Sequence, residues 1–200
     1  MAEALDLKKP LPVGNKGPRN SGLWGVWTLI VSEASLFGYL LAAYTYLAVT
    51  SGQHWSPEGA PSLALPGINT VILVSSSGFV MLAERFLRKA WRGAAIAALI
   101  VAMILGVFFV AVQVHEWSDK PYGITGNLYG SLYFTITGFH MAHVVVGLIV
   151  LLWLTLWVAL GRVTAKGPAP LVIGGLYWHF VDVVWLVIFS TLYIGPHLHA

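Results

Sequence analysis

Five stretches of this chain are each long and apolar enough to cross a lipid bilayer. A spanning helix needs about 20 consecutive, mostly apolar residues. Residues 23–49, 68–87, 93–114, 128–160 and 171–194 all meet that requirement. Inside hydrocarbon a backbone must satisfy its own hydrogen bonds, so each stretch is expected to be a helix. The chain is therefore read as all-α, an integral membrane bundle of five transmembrane helices. The fourth stretch would be about 50 Å long at the helical rise, so it must tilt or extend past the hydrocarbon. Composition points the same way. Of the residues, 58% are hydrophobic and 10% charged, whereas a soluble domain carries about a quarter charged. Ser21 is expected to cap the first helix, and Pro66-Gly67 to precede the second.

The basic residues set an expected orientation. Lys8, Lys9, Lys16 and Arg19 precede the first stretch; Arg85, Arg88, Lys89 and Arg92 join the second and third; Arg162 and Lys166 join the fourth and fifth. The other side holds Lys120 alone. Lysine and arginine favour the cytoplasmic side, so the N-terminus is expected inside and the C-terminus outside. The loops at 50–65 and 116–127 then face outward. The net charge of +3 is explained by this asymmetry, and no nucleic-acid partner is needed to account for it. Residues 1–20 read as a cytoplasmic tail, 21–195 as one transmembrane domain and 196–200 as an outer tail. The tail holds Pro10, Pro12 and Pro18 and lacks the apolar core of a cleaved signal peptide, so the first helix is expected to be retained. The short link between the second and third stretches implies an antiparallel hairpin.

The chain has no cysteine, which excludes disulfides, thiolate nucleophiles and cysteine-ligated metals. No phosphate loop, nucleophile elbow, dinucleotide turn or His-Glu-x-x-His occurs. Chemistry, if any, must come from polar residues inside the membrane, where ionisable groups are costly and pair or serve a function. Glu33 lies about 18 Å into the first helix. His140 and His143 lie one turn apart in the fourth, and His179 and Asp182 one turn apart in the fifth. Residues at i and i+3 share a helix face, so each pair is expected to point one way, into the bundle.

Three readings of this cluster stand side by side. The groups can hydrogen-bond between helices and set packing and register. They can bind a metal, although bundle di-iron sites use Glu-x-x-His motifs and the spacings here are His-x-x-His and His-x-x-Asp. They can serve a proton- or lipid-linked role, with Glu33 the leading residue. A haem between one of His140 or His143 and His179 is a further option, against which stands the one-turn spacing. The other polar residues read more simply. Glu84 with Arg85, and Gln113 and Glu116 near His115 and Trp117, suit helix ends at the interface. His54, His197 and His199 are expected in water. Ser75-Ser76-Ser77-Gly78 reads as a close-packing face, and the tryptophans and tyrosines mostly as interfacial anchors or lipid-facing bulk. Arg162 and Lys166 can hold anionic lipid head groups.

The stretch Tyr177-Trp178-His179-Phe180-Val181-Asp182-Val183-Val184-Trp185 resembles the YWHFVDVVW signature of subunit III of the haem–copper cytochrome oxidases. Gly138-Phe139-His140, His143-Val144 and Gly147 resemble the same family's GFHxxHVxxG helix. Ile30-Val31-Ser32-Glu33, Leu65-Pro66 with Asn69-Thr70, and Gly106-Val107 with Gln113 and Glu116 resemble further family segments, in order. The resemblance runs from Leu23 to Ile194.

The resemblance implies a non-redox core subunit of a proton-pumping terminal oxidase, first of the aa3 cytochrome c type. It implies no catalytic residue, metal or cofactor on this chain, with haem and copper on partner subunits. It implies direct packing on subunit I, subunit II in the same complex, bound phospholipid and support of proton uptake, all in a prokaryotic cytoplasmic membrane. Glu33 would match the family's intramembrane carboxylate, and His140, His143, His179 and Asp182 its packed polar residues. The family's longer form has seven helices, with a lipid cleft after the first two. This chain is expected to be the short, five-helix form, which puts that cleft in question. Subunit III of a quinol oxidase and a nitric oxide reductase accessory protein of the same family are the nearest alternatives. A stand-alone transporter or metal-dependent membrane enzyme is the alternative of another class.

Overall fold

A computed structural model describes residues 18–51, 55 and 61–198. Five long helices follow one another: α1 (Pro18–Ser51), α2 (Ala64–Arg88), α3 (Arg92–Ser118), α4 (Leu128–Ala159) and α5 (Ala169–Phe189). A π-helical turn, Ser190–Ile194, and a short α6, Gly195–Leu198, continue α5. All five are long and apolar enough to span a membrane. The expected tail and the positions of His54 and His199 lie outside the described residues.

Helix ends follow local chemistry, with two corrections to the sequence reading. Ser21 is not a cap, because the helix is already formed from Pro18, and proline suits a first turn, where its missing N–H is no loss. Pro66 and Gly67 likewise lie inside α2, which starts at Ala64. Asn127 does cap α4: its backbone is extended, and its Oδ1 accepts from the Gly130 amide at 2.6 Å. Gly161, at φ 72°, ends α4 in the left-handed conformation that glycine adopts without strain. The tight α2–α3 turn places Ala90 at φ 60°, and α2 and α3 form the expected hairpin.

α5 sits at the centre, against α1, α2 and α4. Its span is 56% buried, whereas that of α1 is 6% buried. α1 rests on α4 and α5 through Phe37 and Tyr44. The core is built around Trp178 and Trp185, both fully buried. Each indole N–H needs an acceptor once buried: Trp178 donates to Ser76 Oγ and Trp185 to Thr70 Oγ1, both at 2.9 Å. The tryptophans and tyrosines divide between the core and the exposed surface. Trp178, Trp185, Tyr44, Tyr129, Tyr133 and Tyr193 are buried, while Trp24, Trp27, Trp91 and Trp153 are exposed.

The expected close-packing face at residues 75–78 is narrowed to Ser76 and Ser77, which meet α5. A Cβ on Gly78 would meet nothing within 4 Å, and Ser75 is exposed. Close approaches to the Trp178 ring are at Gly106 and Gly147, where a Cβ would stand 2.9 Å and 2.7 Å from it. Glycine is needed there because the widest side chain in the core lies between α3 and α4.

Candidate functional site

The polar residues at membrane depth fall into separate clusters, each joining different helices. Glu33 on α1 and His143 on α4 meet directly, with a carboxylate oxygen 3.0 Å from Nε2. His143 is oriented by its other nitrogen, Nδ1, which lies 2.7 Å from the Phe139 carbonyl. That carbonyl accepts, so Nδ1 carries the proton. Nε2 can then donate to the carboxylate only in the imidazolium form, or accept from a carboxylic acid. The pair therefore shares one proton between two groups, a chemistry suited to holding or passing a proton. It lies at one end of an apolar groove of about 550 Å³ between α1, α4 and α5, lined by Val26, Leu29, Val150, Trp157 and Ile173.

His140, one turn from His143, does not join that pair. Phe37 stands between them, its ring centroid 6.4 Å from His140 and 5.3 Å from His143. His140 is 1% exposed and stacks on Trp185 at 5.0 Å. Sequence spacing puts the two histidines on one helix face; the roughly 60° that three residues leave between directions on an ideal helix is enough to send one to α1 and the other into the core.

His179 and Asp182 do converge, but on a residue the sequence reading took only as part of a close-packing face. Ser77 of α2 has its Oγ 2.7 Å from His179 Nδ1 and donates to Asp182 Oδ2. The serine lies between the imidazole and the carboxylate, so this is not the nucleophile–base–orienter order of a hydrolase triad, in which the histidine stands in the middle. Its effect is to tie α2 to α5. A small polar residue on one apolar helix, with a buried acid on another, was the only signal that could have suggested it.

A third cluster lies at the end of the bundle that carries the α3–α4 loop. Glu116 is expected at an interface, yet it is 5% exposed. Its Oε1 accepts from Tyr193 at 3.0 Å and Tyr133 at 3.2 Å, and it pairs with Lys120 at 3.5 Å. Gln113, fully buried, donates to Oε2 at 3.3 Å. One carboxylate thus joins α3, α4 and the turn after α5. No sequence pattern links Tyr133 and Tyr193 to Glu116, because only the fold brings them together.

At the opposite end Glu84 makes no ion pair with Arg85 among the described residues, since adjacent helical residues point apart. Its carboxylate instead lies over Gly175 of α5. The Arg92 guanidinium donates to the Ala159 carbonyl at the end of α4. Arg162 and Lys166 are exposed in the α4–α5 loop. His197 is exposed, with Nδ1 2.9 Å from the Tyr193 carbonyl. Among the described residues no three histidines, cysteines or carboxylates gather where they could hold a metal ion.

The family model described as Cytochrome c oxidase subunit III matches residues 16–196, a range that holds all three clusters. The chain is 34% identical over 193 residues to "Cytochrome c oxidase subunit 3" of Synechocystis sp., covering 90% of this chain and 78% of that protein. It is 33% identical over 175 residues to the protein of that name from Thermostichus vulcanus, covering 85% of each. It is 34% identical over 184 residues to the protein of that name from Homo sapiens, covering 88% of this chain and 70% of that protein. With five membrane-length helices and a family match across all of them, this multi-pass membrane chain belongs to the cytochrome c oxidase subunit III family.

Proposed function

We propose that this chain is a non-redox core subunit of a haem–copper terminal oxidase, the complex that reduces oxygen and pumps protons. In that complex it packs on subunit I, with subunit II alongside, in a prokaryotic cytoplasmic membrane. Its N-terminus faces the cytoplasm, because ten of its eleven lysines and arginines then lie inside. Residues 1–20 form the inner tail, 21–195 the transmembrane domain and 196–200 the outer tail. Haem and copper reside on the partner subunits.

The observation that carries the finer role is the Glu33–His143 pair beside the apolar groove. A pair sharing a proton at mid-depth suits a part in sustaining proton uptake. The groove suits one acyl chain of a phospholipid. Its lining includes Trp157 near the end of α4, and Arg162 follows that helix, its amide donating to the Trp157 carbonyl at 2.9 Å. Arg162 and Lys166 would hold the lipid phosphate there.

Purification of the tagged chain from native membranes tests the reading. Haem-containing subunits are expected in stoichiometric amount, with phospholipid retained through delipidating washes. A chain that purifies alone, or that binds stoichiometric iron or copper itself, overturns it. Loss of Arg162 and Lys166 to alanine should release lipid and hasten loss of activity during turnover, while haem content stays unchanged.

A further inference from the structure

Three ionisable side chains near mid-depth reach the bundle surface in part: Glu33, His143 and His179. The first two satisfy each other. His179 is different. Its Nδ1 faces Ser77, and Ser77 donates to Asp182. A serine hydroxyl has one proton. With that proton given to Asp182, Ser77 accepts from Nδ1–H, and the imidazole lone pair is left on Nε2. Among the described residues Nε2 has no hydrogen-bond partner.

His179 lies ten residues into α5, about 15 Å from its start, in the middle of a span of 29 residues. Neither bulk water nor lipid tails can serve a polar nitrogen at that depth. Other exposed hydroxyls are satisfied on their own helices: Thr28, Ser35, Ser75 and Ser190 each donate to the carbonyl four residues back. The outer surfaces of α3 and α4 present Ile104, Phe108, Ile149 and Leu152, which suit lipid tails. Around His179 the surface is formed by Val74 and Met81 of α2 and Val183 and Leu186 of α5, all exposed. It is an apolar face with one hydrogen-bond acceptor at its centre.

We propose that this α2–α5 face docks a transmembrane helix of a partner subunit, and that the helix presents a hydrogen-bond donor to His179 Nε2. The donor is a hydroxyl, an indole N–H or a cationic side chain. A lipid is a poor occupant, because its own donors lie in the head group, far from mid-depth. The proposal rests on the oxidase-subunit reading and adds to it which face of the bundle meets protein.

The test uses the intact complex in native membranes. A photoreactive benzoylphenylalanine is placed singly at Val183, at Ile104 or at Ile149. Irradiation is expected to join the chain to another subunit from position 183 and to give lipid adducts from the other two. Lipid adducts alone at 183, or a protein cross-link from 104 or 149 in its place, overturn the docking face. A second arm compares His179→Phe with His179→Gln. The phenylalanine variant should lower the fraction of chain retained through detergent purification by about three- to tenfold, the range of one interhelical hydrogen bond. Glutamine keeps an acceptor and should restore most of it. Equal retention of the two variants overturns the donor chemistry. If the unaltered chain brings down no haem-containing subunit, the oxidase reading itself fails; if it does and position 183 stays uncrosslinked, only the docking face fails.

Discussion

Glu33 of α1 and His143 of α4 face each other across 3.0 Å, a polar contact that ties an otherwise weakly packed first helix to the bundle. α1 has little else to hold it: Phe37 and Tyr44 are its buried side chains among the described residues. The pair therefore bears on two properties at once, the docking of α1 and the availability of a carboxyl group inside the membrane.

The Glu33 side chain is 27% exposed, which leaves it open to an apolar reagent in the membrane. A hydrophobic carbodiimide should modify Glu33 in preference to carboxylates in water, and mass spectrometry of the digested chain locates the adduct. Adducts confined to Asp119 and other aqueous carboxylates would contradict this. Glu33→Gln should abolish the modification and leave the five-helix fold intact.

The same contact can be weighed by a double-mutant cycle. Glu33→Gln, His143→Leu and the double variant should give a coupling of about 0.6–2 kcal/mol, the range for interhelical hydrogen bonds in membranes. Unfolding of the full chain in detergent is the measurement. A coupling near zero would mean that the two groups act independently.

Asp182→Leu removes the acceptor of Ser77 and places an apolar group beside His179. It should weaken assembly of the complex more than the turnover of complex that does assemble. Asp182→Asn keeps an acceptor and should be milder. Yield of complex against turnover per haem separates the two effects; normal yield with collapsed turnover runs against the prediction.

Glu116→Leu should be among the most damaging single changes in the bundle. It leaves Tyr133, Tyr193 and Lys120 without their common acceptor, in a site where Lys120 is 13% exposed. Breaking a buried pair by removing one partner costs about 3–5 kcal/mol, whereas Glu116→Gln keeps an oxygen and should cost about 1–2 kcal/mol. Thermal unfolding of the purified chain ranks them.

Glycine substitutions should divide cleanly by position. Gly147→Ala puts a methyl against Trp178, and overpacking of this kind costs about 1–3 kcal/mol. Gly78→Ala meets open space and should stabilise slightly, because alanine is the better helix former by about 1 kcal/mol. A lower unfolding midpoint for Gly147→Ala and an equal or higher one for Gly78→Ala is the expected pattern.

The spans were legible because a bilayer imposes a length and a composition on any helix that crosses it. The stretch 128–160 could be read directly, and α4 runs Leu128–Ala159. Helix starts were less legible, since proline both precedes helices and sits inside their first turn; Pro18 and Pro66 do the latter. The serines at 75–77 could not be told apart in the sequence because small residues serve both packing and hydrogen bonding. Only the partner decides between them: Trp178 for Ser76, His179 and Asp182 for Ser77.

What the sequence determined by itself is therefore the number of helices, their apolar character and the family, each a property of local composition or of short motifs. Which polar groups meet was decided only by the tertiary structure. His140 and His143 are one turn apart in sequence, yet one stacks on Trp185 and the other reaches Glu33. The physical reason is that a buried hydrogen bond depends on where two helices cross, and the crossing is set by packing around Trp178 and its two facing glycines, not by the spacing of residues along either helix.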